Sequence, residues 1–471
     1  MSSNNRISRR DFGAIAAASG LGLIANSPIP AFAAPQKSII WTGVNFIQDC
    51  ATGKDLNCEA IDRSFPNLAP HFKDNKKKFF LYSKLPGTWG AAVGKSRQHK
   101  LVWTNEKAFA GDEVFKTDLA VILGITSDRT IATNYYPPPK DVTFMVYEVQ
   151  SYLLVVDVKD FEIVQSYPIR ILSIGKEAGK RTPIQIKEDL KSKMWRSLSG
   201  GDDKKAGSRR VPGELQRVLS SIDFDNLKKA NVRVTKILST SGAKKWIGKA
   251  HPQSAAIDQK TADKDFKFLL GNAATTAISE HFGIGIQPFT PNVSLGVVVR
   301  DWGMLSQKDQ MVTQKLLNLG KIDLDIRVIV KGVRFTNQKQ EGYKDVYLKK
   351  CVMVYEIQAG RYKRTFDDSG TIEQSAELIG EFILKQNLLA MSQEMTTGVF
   401  DNDWYWVLDM QQRLLDWFFL AIAKNRDLSS LTEGQRDRYE AREFLTRVYT
   451  KDFARFEREA KAFREALLTD R

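Results

Sequence analysis

Two near copies of one strand constrain this chain more than any other feature. Met145-Val146-Tyr147-Glu148-Val149-Gln150 returns as Met353-Val354-Tyr355-Glu356-Ile357-Gln358. The flanks repeat in the same order. Thr133-Asn134 and Lys140-Asp141-Val142 precede the first copy; Thr336-Asn337 and Lys344-Asp345-Val346 precede the second. Ile163-Val164-Gln165-Ser166 follows the first and Ile372-Glu373-Gln374-Ser375 the second. Four matched islands in one order imply a duplicated module.

Alternation along the first copy places Met145, Tyr147 and Val149 on one face and Glu148 and Gln150 on the other, and the second copy keeps this phase. Apolar, β-branched runs at 119–125, 152–158 and 162–171 read as further strands. Their short connections give an antiparallel meander, not the βαβ alternation of a nucleotide fold. The expected fold class is therefore α/β of the α+β kind: two duplicated modules, each a mostly antiparallel meander covered by helices, plus a helical C-terminal region. The first module takes residues 34–199 and opens with a strand at 38–46. A basic linker and helix take 200–230. The second module, with its meander at 324–374, takes 231–398, and the helical region takes 399–471. Covering helices are expected at 185–198 and at 376–395, the latter capped by Ser375. Residues 215–227 and 266–282 also read as helical, and 232–238 as a strand.

In the last region, residues 404–424 carry Trp404, Trp406, Trp417, Phe418 and Phe419 and read as a buried docking helix. Ser430 with Glu433 makes a capping box for the final helix. There Tyr449, Phe453, Phe456, Ala460, Phe463 and Leu467 form a heptad stripe. That stripe suits packing on its own chain or a homodimer through the C-terminal helix.

The first residues read as an address. Ser8-Arg9-Arg10-Asp11-Phe12 resembles the twin-arginine export motif; an Ala/Gly-rich apolar run follows, and Ala31-Phe32-Ala33 forms a small-x-small cleavage site. The run falls short of the about 20 apolar residues that a membrane span needs. Residues 1–33 are thus expected to be a signal peptide, and the protein periplasmic or secreted, exported already folded. No later stretch reaches spanning length without charge.

Of the formal net charge of +15, the leader holds +2 (Arg6, Arg9 and Arg10 against Asp11), so +13 stays on the mature chain. In the cytoplasm such a balance suggests nucleic acid. In an envelope the polyanions at hand are lipid head groups and wall polymers, and no nucleic acid is expected. The densest basic cluster is Lys73, Lys76, Lys77 and Lys78. Tyr135 and Tyr136 precede Pro137-Pro138-Pro139, which stiffens an exposed loop. These lysines and tyrosines are the candidate partner-binding residues. Cys50 and Cys58 lie eight positions apart, a spacing that suits a local disulfide in an oxidising compartment. Cys351, on the apolar face of the second repeated strand, reads as a buried thiol.

No catalytic motif assembles. Ser241-Gly242-Ala243-Lys244 matches a Ser-x-x-Lys pattern, but no Ser-Asp-Asn or Lys-Thr-Gly partner follows. Gly90-Ala91-Ala92-Val93-Gly94-Lys95-Ser96 and Gly175-Lys176-Glu177-Ala178-Gly179-Lys180 are each one residue short of a phosphate loop and read as ordinary glycine loops. Four scattered histidines and no Cys-x-x-Cys pair give no metal set, and no cofactor is implied. Glu148 and Glu356 hold matched places and could in principle share acid–base work, but solvent-facing strand glutamates are commoner.

Val155-Val156-Asp157 followed by Glu162-Ile163-Val164-Gln165-Ser166, with Tyr355-Glu356-Ile357-Gln358-Ala359-Gly360 in the second copy, resembles the periplasmic domain of the curli-secretion lipoprotein family. The resemblance implies an α/β envelope domain without catalysis. It does not carry pore formation, because no lipid-attachment cysteine stands at the cleavage site. The expected function is a non-catalytic envelope protein that binds or assembles with an envelope protein or an anionic envelope polymer. The alternative is a periplasmic hydrolase with its site between the modules.

Overall fold

The computed structural model describes residues 37–48, 65, 99–102, 117–135, 142–178, 185, 201–203, 209–211, 213–250, 258–289, 296–300, 314–339, 347–366, 372–392, 399–425, 428–439 and 442–469. All belong to one compact unit, Lys37–Arg471. In chain order come β1 (Lys37–Gln48), β2 (His99–Val102), β3 (Leu119–Tyr135), β4 (Val142–Asp157) and β5 (Glu162–Ala178). A small hairpin of β6 (Gly201–Asp203) and β7 (Arg209–Val211) leads to α1 (Glu214–Ser221) and β8 (Val232–Ser239). Next are α2 (Ser241–Ala250), α3 (Gln259–Phe282), β9 (Gly296–Arg300) and β10 (Gln314–Leu319). The second meander is β11 (Leu324–Lys339), β12 (Tyr347–Phe366) and β13 (Ile372–Ser392). The chain ends with α4 (Val399–Ala423), α5 (Ser429–Glu433), β14 (Gln435–Tyr439), β15 (Arg442–Tyr449) and α6 (Phe453–Leu468).

The fold is α+β, with two mostly antiparallel sheets built on the two meanders. In both, the repeated strand is the middle one: β4 lies between β3 and β5, and β12 between β11 and β13. The flanking islands also fall alike. Thr133-Asn134 and Thr336-Asn337 lie near the ends of β3 and β11, and Ile163 and Ile372 near the starts of β5 and β13. The middle strand runs unbroken in each copy while both neighbours bulge. Thr126 and Val164 are the extra residues beside β4, and Lys331 and Ile379 those beside β12. A bulge bends its strand and turns the residue after it to the other face.

The first sheet runs β2-β1-β3-β4-β5-β10-β9, and pairing of β9 back onto β1 closes six of these strands into a ring. One buried cluster takes Ile40, Ala120, Ile122, Tyr152, Leu154, Ile163 and Leu317 from five of those strands, as the filled inside of a small closed sheet does. Gly124 is needed there, since a Cβ would stand 2.2 Å from Ile47 Cδ1. The opposite face carries Tyr147, Val149, Leu153 and Val155 and is covered by Leu215, Val218 and Leu219 of α1.

The second sheet runs β14-β15-β13-β12-β11-β8. One of its faces holds the main core. Cys351, Met353, Tyr355 and Ile357 of β12 pack with residues of α2, α3, α4, α5 and α6. Phe382 at its centre meets Phe418, Phe456 and Phe463 with ring centroids 5.3–6.1 Å apart. Cys351 is a buried thiol, as expected.

Several expectations need correction. Residues 376–395 are not a covering helix: 376–392 belong to β13, and Phe382, Leu384 and Gln386 are buried in turn while Glu381, Ile383 and Lys385 are only half-buried. The apolar spacing fits a helix, but pairing to β12 on one side and β15 on the other decides for a strand. The C-terminal region is not wholly helical, since β14 and β15 extend the sheet. Ser430 and Glu433 lie in the short α5; the last helix is capped by Asp452, whose carboxylate accepts from Arg455 N at 3.0 Å. The heptad stripe packs on its own chain, with Phe456, Ala460, Phe463 and Leu467 in the core, while Tyr449 stands on β15. Residues 175–178, read as part of a glycine loop, are in β5. Of the helix expected at 185–198, only Gln185 is described, in helical conformation. The leader lies outside the described residues, and among those described no helix is long and apolar enough to cross a membrane.

Candidate functional site

The repeat carries Glu-x-Gln on the face of the middle strand opposite its tyrosine, and both copies build a polar node there. In the first sheet Glu148 is buried. Its Oε1 accepts from Arg170 Nε of β5 at 2.6 Å and from Gln150 Nε2 at 3.1 Å. The chain of bonds continues into α3. Gln150 Oε1 accepts from Asn272 Nδ2 at 3.0 Å, Asn272 Oδ1 accepts from the Tyr152 hydroxyl at 2.5 Å, and that hydroxyl accepts from Phe289 N at 3.4 Å. Burial holds the Tyr152 phenol well above its usual pKa. Gly271 lets the Phe289 ring lie on the helix, since a Cβ there would stand 2.3 Å from it. Nearby Gln287 ties β5 to the segment before β8, donating to Ile163 O at 3.1 Å and Ala230 O at 2.9 Å. This is a joint: every residue named is buried or half-buried and hydrogen-bonded.

In the second sheet Glu356 is buried too, but its surroundings differ. Lys331, at the bulge of β11, forms an ion pair with its Oε2, and Gln358 Nε2 donates to its Oε1 at 2.5 Å. Glu381 of β13 stands beside it. Partial burial, and then the Glu356 carboxylate, hold the Glu381 carboxyl above its ordinary pKa. Asp325, also buried, accepts from Thr235 Oγ1 and from Arg327 Nε at 2.7 Å. Both glutamates of the repeat are thus buried acceptors, not the solvent-facing residues expected. The structure brings Glu356 next to Glu381.

Around this second node the sheet face is open. Among the described residues no helix covers it; the helices contribute to the core on the other side. Register alone fixes which side chains share it, because β12 runs unbroken. One row crosses five strands: Leu238 of β8, Ile329, Glu356, Ile383 and Tyr449. Lys236 and Arg327 stand in the row on one side, with Gln358 and Glu381. On the other side come Lys385 and Arg447 beside Val354, then Arg334 beside Val352, then Lys350. Among the residues whose side chains are described, and with Lys331 added, seven basic residues share the face with three acids, Asp325, Glu356 and Glu381, and all three acids are wholly or partly buried; Arg233, near the start of β8, is buried as well. Arg327 and Lys331 neutralise two of the acids. Lys236, Arg334 and Lys350 are exposed, and none of them has an ion-pair partner among the described residues.

The residues singled out in the sequence lie elsewhere. Cys50, Cys58, Lys73, Lys76, Lys77, Lys78 and Tyr136 fall outside the described residues, and Tyr135 is the last residue of β3. Ser241 and Lys244 sit exposed in the first turn of α2. Among the described residues no group of three or more His, Cys, Asp or Glu could hold a metal. The open basic face escaped the sequence because its cations are scattered over five strands. The signal that could have found it is the weaker hydrophobicity of alternate positions in β12, Lys350, Val352, Val354 and Glu356, against the uniformly apolar set Cys351, Met353, Tyr355 and Ile357. No protein-family model matches the chain, and no curated protein is significantly similar to it.

Proposed function

We propose that this chain is an exported, non-catalytic envelope protein that binds an anionic partner through the open face of its second sheet. The single observation that carries this reading is the ratio on that face among the described side chains, seven cations that reach solvent to three acids, with the acids set in the floor. Acids bonded in this way hold lysine and arginine side chains in place, and the exposed Lys236, Arg334 and Lys350, without an ion-pair partner among the described residues, are left to meet a ligand. The leader supports delivery to an oxidising envelope, with residues 1–33 removed and Cys50 bridged to Cys58. The resemblance to the curli-secretion lipoprotein family supports the same compartment.

Retention on immobilised heparin tests the reading. Arg334→Glu/Lys350→Glu/Lys385→Glu is expected to elute at clearly lower salt than the unaltered protein, and Lys76→Glu/Lys77→Glu/Lys78→Glu to move less, because charges gathered on one face act together within a Debye length of about 8–10 Å. Unchanged elution of the first variant would overturn it. The hydrolase reading has one observation in its favour, the contact of Glu356 with a Glu381 whose pKa is raised, as a general acid's would be. Loss of polymer-hydrolysing activity on Glu381→Gln would favour it.

A further inference from the structure

We infer that the occupant of the open face is a bilayer surface carrying anionic headgroups. This rests on the reading of the face as an anion-binding surface and adds what cations alone do not explain. Four large hydrophobic side chains are exposed among the described residues, and three of them, Leu238 at 44 %, Leu378 at 51 % and Tyr449 at 48 %, lie on this one face. Leu238 and Tyr449 end the same cross-strand row, and Ile329 and Ile383 lie between. Strands about 4.8 Å apart make that row roughly 19 Å long, and the basic rows run about 7 Å to either side.

A soluble polyanion or an acidic polymer would be met by the cations and would leave the apolar row in water. A bilayer interface presents the matching sequence of layers: anionic headgroups for Lys236, Arg334 and Lys385, and acyl-chain boundary for the leucines. Lysine and arginine stems can lie along apolar surface with their charges in the headgroup layer. Tyrosine, apolar in body and polar at its tip, suits the same depth. Glu356, the one acid in the apolar row, is neutralised by Lys331 and buried, so it offers the surface no bare negative charge.

Co-sedimentation of the purified full chain with vesicles tests this, with heparin retention measured in parallel. Vesicles of phosphatidylcholine with phosphatidylglycerol are expected to bind the protein, and phosphatidylcholine alone to bind it weakly. Arg334→Glu/Lys350→Glu/Lys385→Glu should lower vesicle affinity about a hundredfold or more, at about 1 kcal/mol per basic residue near the surface. Leu238→Ser/Tyr449→Ser, at exposed positions that folding tolerates, should weaken vesicle binding several-fold while leaving heparin retention unchanged. A protein retained on heparin that ignores vesicles, or whose Leu238→Ser/Tyr449→Ser variant binds them fully, would overturn the lipid inference and point to a soluble or wall polyanion. Loss of retention on heparin as well would remove the anion-binding reading with it.

Discussion

The same Glu-x-Gln stretch is put to opposite uses by the two sheets. In β4 its face turns into the protein. Glu148 meets Arg170 on the following strand, and Gln150 hands the network on to Asn272 of α3. In β12 its face turns outward. Glu356 meets Lys331 on the preceding strand, and no described helix lies above it. What differs is the neighbourhood, in particular which flanking strand supplies the cation. A duplicated strand therefore conserves an internal geometry, a carboxylate fixed by the amide two residues on, and leaves its role to what packs on it.

Removing the two glutamates should separate these roles most sharply. Glu148→Ala strips a half-buried guanidinium and a buried amide of a buried acceptor, and breaking such a pair costs up to about 3–5 kcal/mol. Glu356→Ala should cost about 1 kcal/mol, since the Lys331 side chain is 44 % exposed and can return to water. Urea denaturation of both variants measures the gap; equal losses would end the distinction between joint and surface.

The tyrosines give a smaller contrast. Tyr152→Phe takes a donor from Asn272 and leaves Phe289 N without its acceptor, for about 1–2 kcal/mol. Tyr355→Phe should cost under about 1 kcal/mol, because that hydroxyl donates a weak bond to Met353 Sδ at 3.5 Å, with the Gln411 side chain as its other partner. Thermal unfolding of the pair checks the order.

Glu381 supplies a pH test confined to the second sheet. Its folded-state pKa is raised, so between the ordinary carboxylate range and the raised value the native state holds more proton than the unfolded one. Its contribution to stability accordingly falls as pH rises through that window. Glu381→Gln should match the parent in acid and exceed it at neutral pH, by no more than about 0.5 kcal/mol because the group is well screened. A variant less stable at neutral pH would reverse the sign. Smallest of all, Arg334→Glu or Lys350→Glu alone should shift stability by about 0.5 kcal/mol or less, as exposed charges do.

Much of this architecture was legible in the chain because it is local. The period-two alternation of 145–150 and 353–358 named the middle strands, and the apolar runs named β3, β5, β8 and α3. Failures came where distant partners decide. Residues 376–392 carry spacing that either element accepts, and only β12 and β15 settle it. The burial of Glu148 and Glu356 depends on Arg170, Lys331 and the strands beside them, none of which the strand itself encodes. The contiguous lysines at 76–78 drew notice because charge runs are visible in one dimension. Lys236, Arg334, Lys350 and Lys385 form a patch only once four strands lie side by side.

The ring of the first sheet has a consequence for how the molecule is made. Phe46 pairs with Arg300, and Glu162 with Asn318, so the ring closes only after the chain has emerged well past α3. Contacts so far apart in sequence are slow to form, and until they do β1 and β5 keep bare edges that invite pairing with other chains. During synthesis the amino-terminal half must therefore wait, half-built, for strands that belong by sequence to the other half. Folding of the two repeats is for that reason one event: a chain cut between them would yield two aggregation-prone pieces, not two domains.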